Sequence, residues 1–167
     1  MDKFVHFGER FDILKFKEVE NRKMPHSKPD YGFWASPYTP DTEYVSHWAK
    51  WCEQEGFGDC TNGFVFELSD SNIYVINSRK DLLSFIEEVG AQKYPTELEE
   101  RWREMDLPLD QYPDFEKAAQ LYDAVYLTEK GLRETKSPVS CPNLYSWDVE
   151  SILIFNPHII KEIRPLP

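Results

Sequence analysis

The apolar residues of this 167-residue chain come in short runs separated by turn-forming or charged residues. One of the longest such segments is Ser151–Phe155, whereas a helix that crosses a bilayer needs roughly 20 consecutive apolar residues. The first residues, Met1–Phe4, also lack the apolar core of a secretory signal peptide. We therefore expect no membrane-spanning segment, and a cytoplasmic location is the default expectation.

The amount of apolar material fits one folded domain. Hydrophobic residues make up 41% of the chain and aromatic residues 15%, which is more than disordered chains carry. A chain of this length buries one good core, whereas two domains of half the length would each be small. We therefore expect a single domain over residues 1–167.

Short runs with the composition of strands occur along the whole chain. They alternate apolar and polar residues or are rich in aromatic and branched residues, which is typical of strands. The four residues Ser69–Asn72 between two such runs predict a β-hairpin. The predicted strands are Phe4–Phe7, Tyr31–Ser36, Gly63–Leu68, Ile73–Ile76, Asp123–Leu127, Ser151–Phe155 and Ile159–Ile163.

A first helix is predicted between the second and third of these strands. Thr39 is its candidate N-cap, Pro40 takes the first helical position, and Gly56 ends the helix. Its apolar face includes Trp48 and Trp51. Helical spacing favours core packing of this face, with an aromatic ligand platform as the alternative.

Further helices follow the predicted hairpin. Ser78 is predicted to cap a helix that ends at Gly90, and Phe115–Leu121 predicts a short one. Charged residues dominate 95–113, so we expect a surface insertion there, and residues 129–144 are expected to form a loop. Strands interspersed with helices and joined by short turns predict an α+β fold with largely antiparallel pairing.

The charge of the chain argues against a nucleic-acid polymer as its partner. The formal net charge is −11, because 30 acidic residues outnumber 19 basic ones, and phosphate backbones are bound by clusters of Lys and Arg. A local basic group, Arg22 and Lys23 with Lys28 nearby, is still suited to a small phosphate-bearing ligand.

Several catalytic and metal-binding motifs are absent from the sequence. There is no GxGxxG, P-loop, HExxH, GxSxG or EF-hand pattern. The three cysteines, Cys52, Cys60 and Cys141, do not have the spacing of a zinc site. We expect no disulfide and no bound metal.

Four elements remain, spread over most of the chain. They are a first strand with His6, an aromatic strand that ends in Phe33–Ser36, the triplet Tyr122–Ala124, and an acidic pair that leads into Ile152–Pro157. Taken in order, these elements resemble the ADP-ribosyltransferase superfamily. The resemblance implies an α+β fold in which two small, mainly antiparallel sheets form a cleft for NAD, which serves as the substrate.

The resemblance also implies roles for residues of the first two strands. His6 corresponds to the residue that hydrogen-bonds a ribose of NAD, and Phe7 and Gly8 follow it along the cleft. The second strand supplies Ser36, which supports the catalytic acid. The aromatic side chains Phe33, Trp34 and Tyr38 are the candidates for stacking on nicotinamide.

The acid itself has two possible registers. Counted back from Phe155, the family's Glu position falls on Ser151, and Glu150 lies one residue earlier. Asp148 and Glu150 nevertheless resemble the acidic pair of active members, in which Asp148 selects or activates the acceptor. Successive strand residues point to opposite faces, so only one register directs a carboxylate into the cleft.

Three functions follow from the resemblance. The first is mono-ADP-ribosylation of a protein or small acceptor, or hydrolysis of NAD, with the Glu150 carboxylate stabilising an oxocarbenium-like ribose. The second is a non-catalytic binding or interaction module, because Ser151 supplies no negative charge. The third is an RNA 2′-phosphotransferase, which the acidic net charge disfavours.

Overall fold

A computed structural model describes residues 3–106, 112–137 and 142–166 of the protein. These residues contain seven strands and five α-helices. In chain order the elements are β1 (Lys3–Phe7), β2 (Phe33–Pro37), α1 (His47–Glu55), β3 (Gly63–Leu68), β4 (Ile73–Ile76), α2 (Arg79–Val89), α3 (Thr96–Glu104), α4 (Phe115–Leu121), β5 (Ala124–Leu127), α5 (Glu129–Thr135), β6 (Ser151–Ile154) and β7 (Ile160–Pro165).

The strands form one open sheet in the order β4-β5-β6-β2-β1-β3-β7. Every neighbouring pair is antiparallel except β4 and β5. The predicted α+β class is therefore confirmed. The expected division into two sheets is not: the two halves are continuous through β1 and β2, which pair at only two positions, Phe4 with Pro37 and Val5 with Ser36.

The hairpin predicted across Ser69–Asn72 is wrong. β3 lies between β1 and β7, while β4 pairs in parallel with β5 at the opposite edge of the sheet. Asn72 fixes this arrangement, because its N–H donates to Asp123 Oδ2 and its carbonyl accepts from the Asp123 N–H, both at 2.8 Å. The segment therefore carries the chain from one half of the sheet to the other.

The predictions for the helices succeed where the capping signal is local. The Ser78 side chain caps α2 by accepting from Asp81 N–H, and the helix ends at Gly90, as predicted. The start predicted for α1 is wrong, because its N-cap is Ser46. Thr39 instead closes a turn, since its hydroxyl donates to the Tyr44 carbonyl at 3.0 Å.

The segment predicted as a loop over 129–144 begins with helix α5. Thr128 caps this helix, and its side chain accepts from Gly131 N–H. Residues 138–141 of the segment, which include Cys141, lie outside the described residues. In the 95–113 segment, α3 has no buried residue, whereas Tyr112 and Pro113 are buried, and residues 107–111 are not among those described.

The core lies on both faces of the sheet. On one face, helices α2, α4 and α5 cover a cluster that includes Leu82, Phe85, Phe115, Trp147 and Leu153. The opposite face carries a second cluster, with Phe4, Phe66, Ile152, Ile154 and Ile159 among its members. Alternate residues of β6 thus enter different clusters, and the strand is buried on both sides.

Helix α1 contributes less to the core than its sequence predicts. Cys52 is its one buried residue, and Trp48 and Trp51 are only partly covered. The two indole rings stack on each other with centroids 5.0 Å apart. None of the described helices is both long and apolar enough to cross a membrane.

Candidate functional site

The candidate site lies where β1 and β2 diverge. Beyond the Val5–Ser36 pair the two strands no longer pair, and the His6 ring bridges them instead. His6 Nδ1 lies 2.7 Å from the Trp34 carbonyl oxygen, so this nitrogen carries a proton and donates. Because β1 is flanked by β2 and β3, His6 belongs to an interior strand of the sheet, not to an edge.

Burial favours the neutral form of the His6 imidazole. Burial lowers the pKa of His6 below its usual value of 6.5, and the hydrogen bond to the Trp34 carbonyl only partly offsets this effect. With the proton on Nδ1, the second ring nitrogen, Nε2, is a hydrogen-bond acceptor.

A cavity of about 160 Å³ opens beside this junction. Five of the residues expected at an NAD site line it, and four further residues complete its wall. The expected residues are His6, Phe7, Trp34, Ser36 and Ser151, and the others are Val5, Lys28, Ala35 and Trp48.

Ser36 and Ser151 both line the cavity, and the hydroxyl group of each already donates a hydrogen bond within the protein. Ser36 Oγ donates to the Glu150 carbonyl oxygen at 3.1 Å, and Ser151 Oγ donates to the Val149 carbonyl oxygen at 2.8 Å. Each hydroxyl oxygen keeps lone pairs that are able to accept a hydrogen bond from a ligand.

Three residues expected at the site have other partners. Phe33 packs against the His6 ring, with centroids 4.4 Å apart. The Tyr38 N–H donates to the Lys3 carbonyl, and the Gly8 N–H donates to the Asn62 carbonyl at 3.0 Å. Gly8 has a φ of 134°, a backbone conformation that residues with a Cβ rarely adopt.

The Glu150 carboxylate has partners in other parts of the structure, and Glu150 is not among the residues that line the cavity. One of its oxygens accepts a hydrogen bond from the Tyr126 hydroxyl, and the other lies 3.4 Å from His47 Nδ1. Tyr126 packs with the cluster that contains Ile152, which is the sheet face opposite to that of Leu153. Of the two registers, Ser151 lines the cavity and Glu150 is not among its lining residues.

Asp148 is connected to the cavity by its ion pair with Lys28. The Lys28 ammonium lies 3.9 Å from Asp148 Oδ2 and 4.8 Å from the centroid of the Trp34 ring. Burial lowers the pKa of Lys28, Asp148 raises it in part, and Arg22 lowers it further. Lys28 is held there because the preceding carbonyl, that of Ser27, accepts from Trp147 Nε1 at 2.8 Å.

The triplet Tyr122–Ala124 contacts the end of β6. Asp123 Oδ1 accepts from the Asn156 side-chain amide at 2.7 Å, and the Asp123 carbonyl accepts from the N–H groups of Phe155 and Asn156. These two elements of the resemblance therefore touch each other, but at the end of β6 that lies away from Ser151. Their contact fixes β5 to β6.

Sequence reasoning considered Trp48 and Lys28 for ligand binding but did not place either of them at the NAD site. Trp48 has helical spacing that favoured core packing, and Lys28 lies in a polar segment with no pattern that relates it to Trp34. Only the folded arrangement brings α1 and the segment around Lys28 to the same cavity. A basic group at residues 22–28 was the one signal that pointed to Lys28.

Possible metal ligands do not gather in the described parts of the chain. Among those residues, no group of three or more His, Cys, Asp or Glu side chains is placed to hold a metal ion. Cys52 and Cys60 are free thiols.

Comparisons with protein-family models, curated proteins and solved structures found no match to this chain.

Proposed function

We propose that this chain is an ADP-ribosyltransferase-like protein that binds NAD with the nicotinamide ring in the cavity. One observation carries the proposal: five residues that the resemblance assigns to NAD, drawn from β1, β2 and the start of β6, line a single cavity. They are separated by as many as 145 positions, from His6 to Ser151, so their convergence is not a consequence of neighbouring positions in the chain.

The size and walls of the cavity support a ligand with one planar ring. A cavity of about 150 Å³ accommodates a molecule the size of benzene, and this one has a volume of about 160 Å³. Trp34 and Trp48 supply aromatic walls. The lone pairs of Ser36 and Ser151 suit the N–H donors of a carboxamide.

Binding without transfer is the function that the geometry favours. Transfer requires a carboxylate against the ribose of NAD to stabilise the positive charge that develops there. Ser151 lines the cavity, whereas the Glu150 carboxylate is engaged by Tyr126 and His47 on the other face of the sheet. A serine hydroxyl supplies no negative charge in place of this carboxylate.

Transfer or hydrolysis of NAD is the second candidate, and one contact favours it. Because Ser36 Oγ donates to the Glu150 carbonyl, the backbone of Glu150 lies next to a residue that lines the cavity. A change of side-chain rotamer at Glu150, with loss of the Tyr126 hydrogen bond, would turn its carboxylate toward the ligand.

Calorimetric titration with NAD tests the binding function. The wild-type protein should bind NAD, and Ser151→Leu, which fills the cavity, should abolish the binding heat. Ser84→Leu is the matched control, since Ser84 is exposed on α2, and it should bind as the wild type does. Absence of binding to the wild type, or full binding to Ser151→Leu, would overturn the proposal.

Release of nicotinamide from NAD separates the two candidates. The binding function predicts no release above the uncatalysed rate. Release by the wild type that Glu150→Gln abolishes would instead establish the transfer or hydrolysis reading, with Glu150 as its acid.

A further inference from the structure

Lys28 is the one formally charged side chain among the described residues that line the cavity. The chain as a whole is strongly acidic, with a formal net charge of −11. Lys28 therefore places a positive charge at the cavity wall of a protein whose net charge is negative. It gives the cavity a local preference for negative charge, which acts over the short distances where salt screens least.

The partners of Lys28 compensate its charge only in part. The Asp148 carboxylate is 3.9 Å away, beyond the roughly 2.7–2.9 Å of a direct charge-assisted hydrogen bond. The Trp34 ring offers its face, 4.8 Å from ring centroid to Nζ. The ammonium group therefore retains hydrogen-bonding capacity for an anion that enters the cavity.

We propose that Lys28 is the anion-binding residue of this site and that it holds the phosphate that follows the nicotinamide ribose. The ligand class is then a nicotinamide nucleotide, in contrast to the free base or the nucleoside. This inference rests on the proposed function, because it assumes that the planar ring in the cavity is nicotinamide.

Asp148 competes with the phosphate for the same ammonium group. The ammonium group has three N–H donors and is able to contact both anions, but the two negative charges repel each other, so each weakens the binding of the other. Removal of the Asp148 charge therefore strengthens phosphate binding, whereas removal of the Lys28 charge weakens it. A purely structural role of this ion pair would give changes of the same sign for both variants.

Two ligands that differ by a single phosphate provide the test. Nicotinamide mononucleotide and nicotinamide riboside are titrated separately into the wild type and into Lys28→Met, Lys28→Arg and Asp148→Asn, with thermal unfolding as the check on folding. Lys23→Met is the matched control, because Lys23 is an exposed lysine of the same segment.

The wild type should bind the mononucleotide about tenfold more tightly than the riboside, as one charge-assisted contact provides. Lys28→Met should remove this preference, mainly by weakening the mononucleotide. Lys28→Arg and Lys23→Met should keep it, and Asp148→Asn should increase the affinity for the mononucleotide severalfold.

Two patterns would overturn the inference while the proposed function survives. In one, both ligands bind the wild type equally well; in the other, Lys28→Met weakens both ligands by the same factor. If the wild type binds neither these ligands nor NAD, the proposed function itself fails, and the assignment of Lys28 fails with it.

Discussion

The Tyr126 hydroxyl donates a hydrogen bond to the Glu150 carboxylate, and this contact fixes the start of β6 to β5. Tyr126 is paired with Ile152 in the sheet, so the contact reaches back to the residue that precedes the strand. The Nδ1 atom of His47, the first residue of α1, lies next to the other oxygen of the same carboxylate. Glu150 thereby connects two parts of the structure that also contribute Ser151 and Trp48 to the cavity.

Tyr126→Phe should lower the free energy of unfolding by about 2 kcal/mol, because a hydrogen bond to a partly buried charged group is lost. Glu150→Gln should cost less, since an amide oxygen still accepts from the hydroxyl. Urea unfolding measures both changes. Tyr145→Phe serves as control, because Tyr145 is exposed. An unchanged stability for Tyr126→Phe would show that the contact contributes nothing to the fold.

Acidification should destabilise the protein through His6. Its pKa in the folded state lies below 6.5, the usual value, so the unfolded state binds more protons between these two pKa values. Stability is then fully present above 6.5 and is lost as the pH falls toward the lowered folded-state pKa. Urea unfolding between pH 7.5 and 5.5 measures this slope.

His6→Gln should reduce that slope without removing it, because burial lowers the pKa of His26 as well. Ser84→Gln is the control, since Ser84 is exposed and has no titratable side chain, so its replacement should leave the slope unchanged. A slope in His6→Gln equal to that of the wild type would contradict the role of His6.

Gly131→Ala should destabilise the protein by about 1–3 kcal/mol, the typical cost of overpacking a well-packed site. Gly131 lies inside α5, where helix propensity alone favours Ala by about 1 kcal/mol. A Cβ at this position would collide with the Ile76 carbonyl oxygen of β4, which is backbone and does not give way easily. Thermal unfolding that shows a gain in stability would refute this close approach.

Ser78→Ala should cost about 1 kcal/mol, because it removes the N-cap of α2. The Ser78 hydroxyl accepts from the Asp81 N–H and donates to Asp81 Oδ2 at 2.8 Å. Ser84→Ala on the exposed side of the same helix should change stability by less than about 0.5 kcal/mol. Equal effects of the two substitutions in urea unfolding would mean that the cap is not important.

The sequence predicted best those features whose cause is local. Ser78 and Gly90 mark α2 because a cap and a helix end are each determined by a few adjacent residues. Thr39 misled the prediction for the same reason: a hydroxyl that suits an N-cap also suits the turn it makes with Tyr44. Local chemistry limits the conformations that a segment can adopt, and tertiary packing determines which of them forms.

The sequence patterns did not predict which distant strands pair with each other. The turn-like segment 69–72 favoured a hairpin, but the partner of β4 is β5, which starts 48 positions after Ile76. The site shows the same division. Ser36 and Ser151 follow from the order of motifs, whereas Lys28 and Trp48 come from segments whose positions depend on tertiary packing.

The position of β6 in the sheet sets a condition on protein synthesis. This strand separates β5 from β2, so without it β4 and β5 share no strand-to-strand hydrogen bonds with β2, β1 and β3. A nascent chain in which residues 151–154 are still inside the ribosome has these five strands but not the strand between them. The cavity wall at Ser151 thus forms only after residues 151–154 have been translated, and a premature stop codon before this strand would yield a chain without it.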